Sequence, residues 1–455
     1  MEHDRGTRPF WLDIERPAFG ALERPIRVDV AIIGAGIVGL KLARVLARHG
    51  ARVAILEGAR VGEGASGRNQ GTINRGPSPG YGELTRRHGR ATARRLWQLG
   101  DENHHLIREQ LAEYAIACDY QRDGMVSLVR QDLAGWQARA AACRAEYELL
   151  HEDGFAVSWL DERVVCDITA APAGTYVCGM IDHSDGQFHS GRYVIGLAQG
   201  IARTPGVALF EGVRVRAVRR TGSVTRLDTD RHTVDAPTVV LGTNALAPQL
   251  VPGLERAMRA ERGQVIVTAP LDARPCRGSF GTSLAWWREI DAGGGRWRLL
   301  FGGGRERDEP DSLFPQFDAR GEAHAALERD GFAASSAHQQ RLDVQLARLF
   351  PALAGVPITH RWGGLQSFTA DGLPLVGCLD AERQIHGVVA LCGRGNCHSD
   401  VAAEHLGARL CGVQGPAYAD LFDELCAVDR ASARWPAWRS AYSQAPVGAD
   451  GRASP

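Results

Sequence analysis

The sequence predicts an α/β protein: a parallel sheet faced by helices, discontinuous along the chain, joined to a second α+β domain built on an antiparallel sheet. Three observations predict it. Residues 28–57 read as strand, glycine turn, helix and strand. Residues 238–245 and 385–410 each open on a short apolar run that ends in a glycine turn, so the chain returns to one buried sheet. Residues 254–360 are rich in strand-like runs, broken by glycine and set with paired tryptophans, which suits an antiparallel sheet roofing a pocket.

Residues 28–33 form a mostly apolar, β-branched run, as a strand buried on both faces requires. Gly34, Gly36 and Gly39 follow as G-x-G-x-x-G. The first glycine allows a tight turn, the second lets backbone approach a pyrophosphate, and the third lets helix pack on strand. Ile37 and Val38 open the helix beside that phosphate site. Ile37, Leu40 and Ala47 fall at helical spacing, with Arg44 and Arg48 on the outer side and Gly50 as the cap. Residues 52–56 are the next strand, closed by Glu57 roughly 20 residues after the glycines, where an acid takes the ribose hydroxyls of an adenosine. A chance glycine turn leaves Glu57 unexplained, so the tract predicts a dinucleotide site.

Residues 58–76 form a long glycine-, serine- and asparagine-rich loop without apolar periodicity, and such a loop inside a compact domain is usually functional. Laid along a pyrophosphate and ribityl chain toward an isoalloxazine ring, it selects FAD over NAD. Its expected contacts are Gly58, Ala65, Ser66, Gly67, Arg68, Asn69 and Gln70. Residues 62–67, GEGASG, fit the glycine pattern by letter but do not directly follow a strand, so they are not a second dinucleotide site. The tract resembles the FAD-dependent amine and amino-acid oxidases of the D-amino-acid oxidase superfamily. Within it, the branch containing gamma-glutamylputrescine oxidase carries a GASGRN loop here.

Composition sets bounds. A chain of 455 residues is long enough for two domains. Lys+Arg and Asp+Glu both number 53, so no net charge points to nucleic acid or a membrane surface. Lys41 is the sole lysine. The 10 cysteines are scattered without C-x-x-C or ligand-like Cys/His spacing, which fits free thiols in a reducing compartment and no metal site. The N-terminus is polar, and no run reaches the ~18 consecutive apolar residues of a membrane span. The expectation is a soluble, cytoplasmic protein.

Along the rest of the chain, residues 1–27 read as a Pro-punctuated arm laid over the cofactor domain, with Phe10 and Trp11 as anchors. Residues 83–118 are helical in pattern, with Leu96, Leu99, Leu106, Leu111 and Ile116 among charged residues. His104 and His105 point to different helix faces and so read as core or surface residues rather than ligands. Residues 124–129 read as a strand and 133–150 as a helix. A turn at Asp185-Gly186 precedes a helix packing Val194, Leu197 and Ile201, then a third parallel strand at 207–211 and a meander strand at 213–218. In the second domain, 263–269, 282–290 and 296–304 are strand-like, with helical stretches between 319 and 353. Trp286 and Trp287 alternate across a strand, so at least one belongs to the core. The resulting division is 1–80, 160–253 and 361–442 for the FAD-binding domain, 81–159 and 254–360 for the substrate domain, and 443–455 as a tail of disordered composition.

The resemblance implies further roles. It places Val215 beside the adenine and Gly242 where the chain returns to the cofactor. Residues 360–379 resemble the family's RWxG…DGLPxxG tract. The strand, glycine turn and helix of residues 385–410 put Gly393, Arg394, Gly395 and Asn396 at a helix start, whose amides and positive end face the flavin's pyrimidine side. Arg394 is in position to stabilise negative charge there. Where glycine and D-amino-acid oxidases carry a carboxylate-clamping arginine, this chain has Gln366, which offers no charged fork. An amine, a larger amino-acid derivative or a modified peptide is therefore the expected substrate. Gly364 matches the cysteine that tethers flavin in the sarcosine-oxidase branch, so FAD is expected to be non-covalent. Lys41, in the first helix, cannot act as that branch's oxygen-activating lysine. Gln70 and Arg394 replace a glycine and a histidine of the gamma-glutamylputrescine branch.

The expected reaction removes a hydride equivalent from a carbon bearing nitrogen, giving an imine that water hydrolyses to an aldehyde or keto acid. Oxygen is the expected acceptor, and Gln366 and Arg394 are the expected contacts at the reacting end. A dehydrogenase passing electrons to a quinone or carrier protein is an alternative. A flavoprotein monooxygenase or NAD(P)H-using reductase is a weaker one, because no second glycine fingerprint serves a nicotinamide. A non-enzymatic FAD module would leave the roof domain without a purpose.

Overall fold

Buried β-branched runs set the centre of the molecule. In the computed structural model, which describes residues 8–303 and 332–432, six strands pair in the order Leu375–Asp380, Ile385–Val389, Thr238–Leu241, Val30–Ile33, Val53–Leu56 and Val207–Phe210. All neighbours are parallel except the first pair, an antiparallel edge. Successive side chains point to opposite faces, and the core divides accordingly. Val30, Ile32, Val53 and Ile55 pack beneath the helices Ile37–Arg48, Ser190–Ala202 and Gly395–Cys411. Ala31, Ile33, Leu56 and Leu241 pack on the other face, against Val218, Leu227 and Val234 of a small sheet. That sheet runs Ile26–Arg27, Val234–Ala236, Val224–Thr229, Val215–Thr221. The strand at 207–210 is the third parallel strand the sequence leads one to expect.

A second sheet has eight strands in the order Ile358–Phe368, Arg259–Thr268, Arg296–Gly303, Ala285–Gly293, Ser279–Gly281, Met125–Arg130, Tyr176–Asp182 and Val157–Asp161. Its pairings are antiparallel save one, Ser279–Gly281 on Met125–Arg130, where two separate stretches of chain join. Helix Ser336–Leu349 covers one face over Ile266, Phe280, Trp287, Leu299 and Phe301. Trp287 stacks between Phe280 and Phe301 at centroid distances of 5.6 and 6.1 Å. Its neighbour Trp286 points to the opposite face, as alternation demands.

Several placements differ from the sequence reading. Tyr176–Asp182 lies within the stretch 160–253, expected to join the parallel sheet, and pairs instead with Met125–Arg130 and Val157–Asp161. Ile358–Phe368 runs past residue 361 in the large sheet, paired along its length with Arg259–Thr268. Helix Arg90–Glu113 lies in the stretch expected in the substrate domain, yet it buries against Gly395–Cys411. Its polar residues find their partners there: Asn103 Nδ2 donates to the Asn396 carbonyl at 2.9 Å, and Gln110 Nε2 to Asp400 Oδ1 at 2.6 Å. Both buried amides are thereby satisfied. The same helix covers Arg44, expected on the outer side; Arg44 is buried and bonded to Glu113 at 2.8 Å. The arm is wedged rather than laid on the surface. Trp11 is buried with Val265, Val267, Leu300 and Trp362 of the large sheet, and donates Nε1–H to the Asn69 carbonyl at 2.7 Å.

The tail at 443–455 and the first part of the helical stretch expected from 319 lie outside the described residues. Among the described residues, no helix is long and apolar enough to cross a membrane, and no cluster of His, Cys, Asp or Glu forms a metal cage.

Candidate functional site

The glycine turn sits at the carboxyl end of Val30–Ile33, the edge where open α/β sheets bind ligands. Gly34 holds φ +100°, and a Cβ on Gly39 would lie 2.0 Å from the Gly34 carbonyl oxygen. Helix and strand approach that closely only without a side chain. Gly242 packs against this turn: a Cβ there would lie 3.0 Å from the Gly39 nitrogen. Gly36 caps the helix, and the Ile37 amide donates to Ser66 Oγ at 3.0 Å. Val38 is buried in the core behind it.

Glu57 closes the neighbouring strand. Its carboxylate accepts from the backbone amides of Ala35 and Ala59 at 2.9 and 3.0 Å. Burial pushes its carboxyl above the usual range, and those two amides oppose the rise. An acceptor-only group fixed by backbone at the strand end fits the ribose hydroxyls of FAD, and the side-chain-free glycine turn at the helix N-terminus fits its pyrophosphate. Gly58 follows, packed beside Arg214. Val215 starts a strand of the small sheet opposite Thr229, away from the cavity described next.

The loop after Glu57 is cross-linked along its length. Ala65–Gly67 is one short helical turn. Arg68 donates to the Glu63 carbonyl at 2.6 Å and to the Gly363 carbonyl at 3.1 Å, joining the loop to the large sheet. Asn69 donates to the Ala65 and Ser66 carbonyls at 3.1 and 2.8 Å. Its Oδ1 accepts from the Gly71 amide and Ser190 Oγ, each at 2.7 Å, and from Asn396 Nδ2 at 3.2 Å.

Between this loop and the large sheet lies a cavity of about 450 Å³. It gathers Ala65, Arg68, Asn69, Gln70, Gln366, Gly393, Arg394 and Asn396 from three distant stretches of chain. Gly364 and Gln366 share the inward face of Ile358–Phe368. Arg394 is the N-cap of Gly395–Cys411 and follows a turn in which Cys392 and Gly393 hold φ of 52° and 73°. A Cβ on Gly395 would lie 3.8 Å from Ile37 Cδ1, so this helix starts beside the first one. The charge of Arg394 reaches Glu146 and Asp185. Burial pushes Asp185 up to about 7. Its carboxylate accepts from Asn74 Nδ2 at 3.0 Å and the Arg75 amide at 2.6 Å.

Sequence reasoning missed Asn74, Glu146 and Thr282 on the cavity wall. Glu146 accepts from the Tyr81 amide at 2.8 Å, which bridges helix Trp136–Glu152 to the start of Tyr81–His88. Nothing in the spacing of residues 133–150 marks it, because its partners come from another helix. Thr282 was expected within a strand. The strand starts at Ala285, and Thr282 Oγ1 accepts from the Ala285 amide at 3.0 Å, closing a turn at the cavity edge. Trp286 lines the same wall. Lys41 is remote from it, donating to Ser399 Oγ at 2.8 Å and paired with Asp400 inside the helix layer.

Comparison with known proteins agrees with this geometry. The probable oxidoreductase OrdL of Rhizobium meliloti is 27% identical over 369 residues, spanning 79% of this chain and 78% of the relative. The gamma-glutamylputrescine oxidoreductase of Escherichia coli is 27% identical over 410 residues, spanning 86% and 84%. The fold matches that of glycine oxidase from Geobacillus kaustophilus, with a TM-score of 0.68 at 21% identity, covering 87% of this chain and 98% of that one. A family model for FAD dependent oxidoreductases matches residues 29–409. With that match spanning the glycine turn, the cavity and the helix behind Arg394, the chain belongs to the DAO family of FAD dependent oxidoreductases.

Proposed function

We propose that this oxidoreductase oxidises a carbon–nitrogen bond of an amine, or of an amino-acid derivative larger than a simple α-amino acid. The product imine is hydrolysed to an aldehyde or keto acid, and oxygen is the acceptor. The observation that carries this reading is the uncharged Gln366 on the cavity wall, with Arg394 as the positive group at the helix start. Without a guanidinium fork at residue 366, an α-carboxylate loses its bidentate anchor, so binding energy must come from the rest of the substrate. The likeness to a gamma-glutamylputrescine oxidoreductase supports an amine-bearing substrate of that larger kind.

FAD, when bound, supplies the hydride acceptor. The glycine turn, Glu57 and the loop from Ala65 to Gln70 would hold it. Gln366 orients the substrate through one donor and one acceptor. Arg394 stabilises negative charge at the reacting end, and Trp286, Met180 and Val265 keep water from it. No protein nucleophile is required. A panel of amines and amino-acid derivatives, assayed aerobically for peroxide, tests the reading: peroxide with amines or γ-substituted derivatives is expected, with glycine and D-alanine weak. A panel in which simple α-amino acids are best would overturn it.

Gly364 has no side chain to tether a flavin, so the cofactor is held non-covalently. Acid precipitation is expected to leave all yellow colour in the supernatant; a yellow pellet would refute this. One observation favours a second acceptor. The sole lysine is locked against Asp400 and cannot activate oxygen over a ring. Turnover with a quinone or redox dye but not with oxygen would establish that reading.

A further inference from the structure

We propose that Trp11 of the N-terminal arm, together with Trp362 of the large sheet, is a positioning residue of the cofactor loop, so that docking of the arm and binding of FAD are coupled. The first half of that loop holds itself. The Gly67 amide donates to the Gly64 carbonyl and the Arg68 amide to the Ala65 carbonyl, each at 3.2 Å, and Asn69 Nδ2 donates to the Ala65 and Ser66 carbonyls. The second half is held from outside. Trp362 Nε1 donates to the Arg68 carbonyl at 2.9 Å, Trp11 Nε1 to the Asn69 carbonyl at 2.7 Å, and Arg288 Nη1 to the Gly71 carbonyl at 3.3 Å. The donors come from the arm and from the strands Ile358–Phe368 and Ala285–Gly293.

A trans peptide turns its N–H opposite to its C=O. By fixing the carbonyls of Arg68 and Asn69, the two indoles therefore also fix the direction of the Asn69 and Gln70 amides. Asn69 and Gln70 line the cavity, whereas Trp11 and Trp362 do not. The arm thus acts through the loop and not on the reacting groups. Its fit is close: a Cβ on Gly67 would lie 2.7 Å from Leu12 Cδ2, and one on Gly191 would lie 1.8 Å from the Trp11 carbonyl oxygen. Trp11, Leu12 and Trp362 are all buried, and the Arg288 guanidinium lies 5.5 Å from the centre of the Trp11 ring. A buried indole N–H needs an acceptor. Both indoles take theirs from successive residues of this one loop, and that choice ties the arm to it.

Coupling of this kind is reciprocal. If the docked arm holds the loop in the conformation that receives FAD, bound FAD holds the arm down by the same factor. One neutral hydrogen bond contributes ~0.5–1.5 kcal/mol, so removing the Trp11 donor is expected to weaken FAD binding about 2- to 13-fold. The proposal rests on the placement of FAD along residues 65–70 given above, and the experiment separates the two.

Amide hydrogen exchange of the full wild-type chain is read by mass spectrometry with and without saturating FAD. Slower exchange with FAD is expected at residues 65–71 and also at residues 8–14, where the Leu12 and Asp13 amides donate to the Pro9 and Phe10 carbonyls. Strand Arg296–Gly303, unchanged, serves as the reference for a folded apoprotein. Protection at 65–71 with 8–14 unaffected would overturn this proposal alone. No protection at 65–71 would overturn the loop's placement against FAD, and the proposal with it. Trp11→Phe keeps a ring in the same pocket and removes only the N–H. Its holoenzyme is expected to release FAD about 2- to 13-fold more readily on dilution and to change the visible circular dichroism of the bound flavin, with Trp362→Phe acting in the same direction. A lowered melting temperature with wild-type FAD affinity and flavin spectrum would make Trp11 a packing residue and refute its positioning role. The exchange map needs only the wild-type chain, so it decides the matter should a variant misfold.

Discussion

Arg394→Gln is expected to leave FAD bound while slowing its reduction by substrate about 10²-fold, the loss typical of removing one oxyanion-type donor. Arg394 sits at the start of Gly395–Cys411 and lines the same cavity as Gln366. A fixed guanidinium there, added to the positive end of a 17-residue helix, stabilises negative charge that builds as hydride leaves the substrate. It lies near enough to Glu146 and Asp185 for its charge to oppose the burial that raises both carboxyls. Glutamine keeps polarity and removes the charge. Anaerobic stopped-flow, following flavin bleaching, reads the effect directly. If reduction keeps its rate and only apparent substrate affinity falls, Arg394 is a substrate anchor that replaces the clamp missing at Gln366. If neither changes, the charge comes from the helix end alone.

Glu57→Gln is expected to weaken FAD binding about 10- to 150-fold, since hydrogen bonds to charged groups contribute ~1.5–3 kcal/mol and ~1.4 kcal/mol is tenfold. The carboxylate already takes the amides of Ala35 and Ala59, which fix its orientation at the strand end. A glutamine amide keeps one acceptor and turns an NH₂ toward a backbone donor. Titration of apoprotein with FAD, followed by fluorescence quenching, gives the dissociation constant. The melting temperature of the apoprotein separates a lost ribose contact from a disturbed turn. An unchanged dissociation constant would remove Glu57 from the cofactor site.

How much of this was legible in the chain follows from the range of the interactions involved. The strand, glycine turn, helix, strand and acid of residues 28–57 are local: each signal sits within a few residues of the structure it dictates, and the structure keeps them with ends shifted by one or two residues. The turn at Gly393-Arg394-Gly395 was legible for the same reason. Arg44 was misplaced because helical periodicity reports only the face toward the sheet. A second helix, carrying Glu113, covers the other side, and no local pattern announces it.

The sequence by itself thus determined the α/β class, the dinucleotide turn, the acid at the strand end and the uncharged residue at position 366. Backbone geometry and period-two alternation act over neighbouring residues, which is why these could be read in order. Only the tertiary structure decided which sheet takes Tyr176–Asp182, and that Glu146 joins Arg394 on the wall of one cavity. Those contacts join elements far apart in the chain, and the free energy that selects them comes from burying apolar faces and satisfying buried polar groups together, a condition no single stretch of sequence can express.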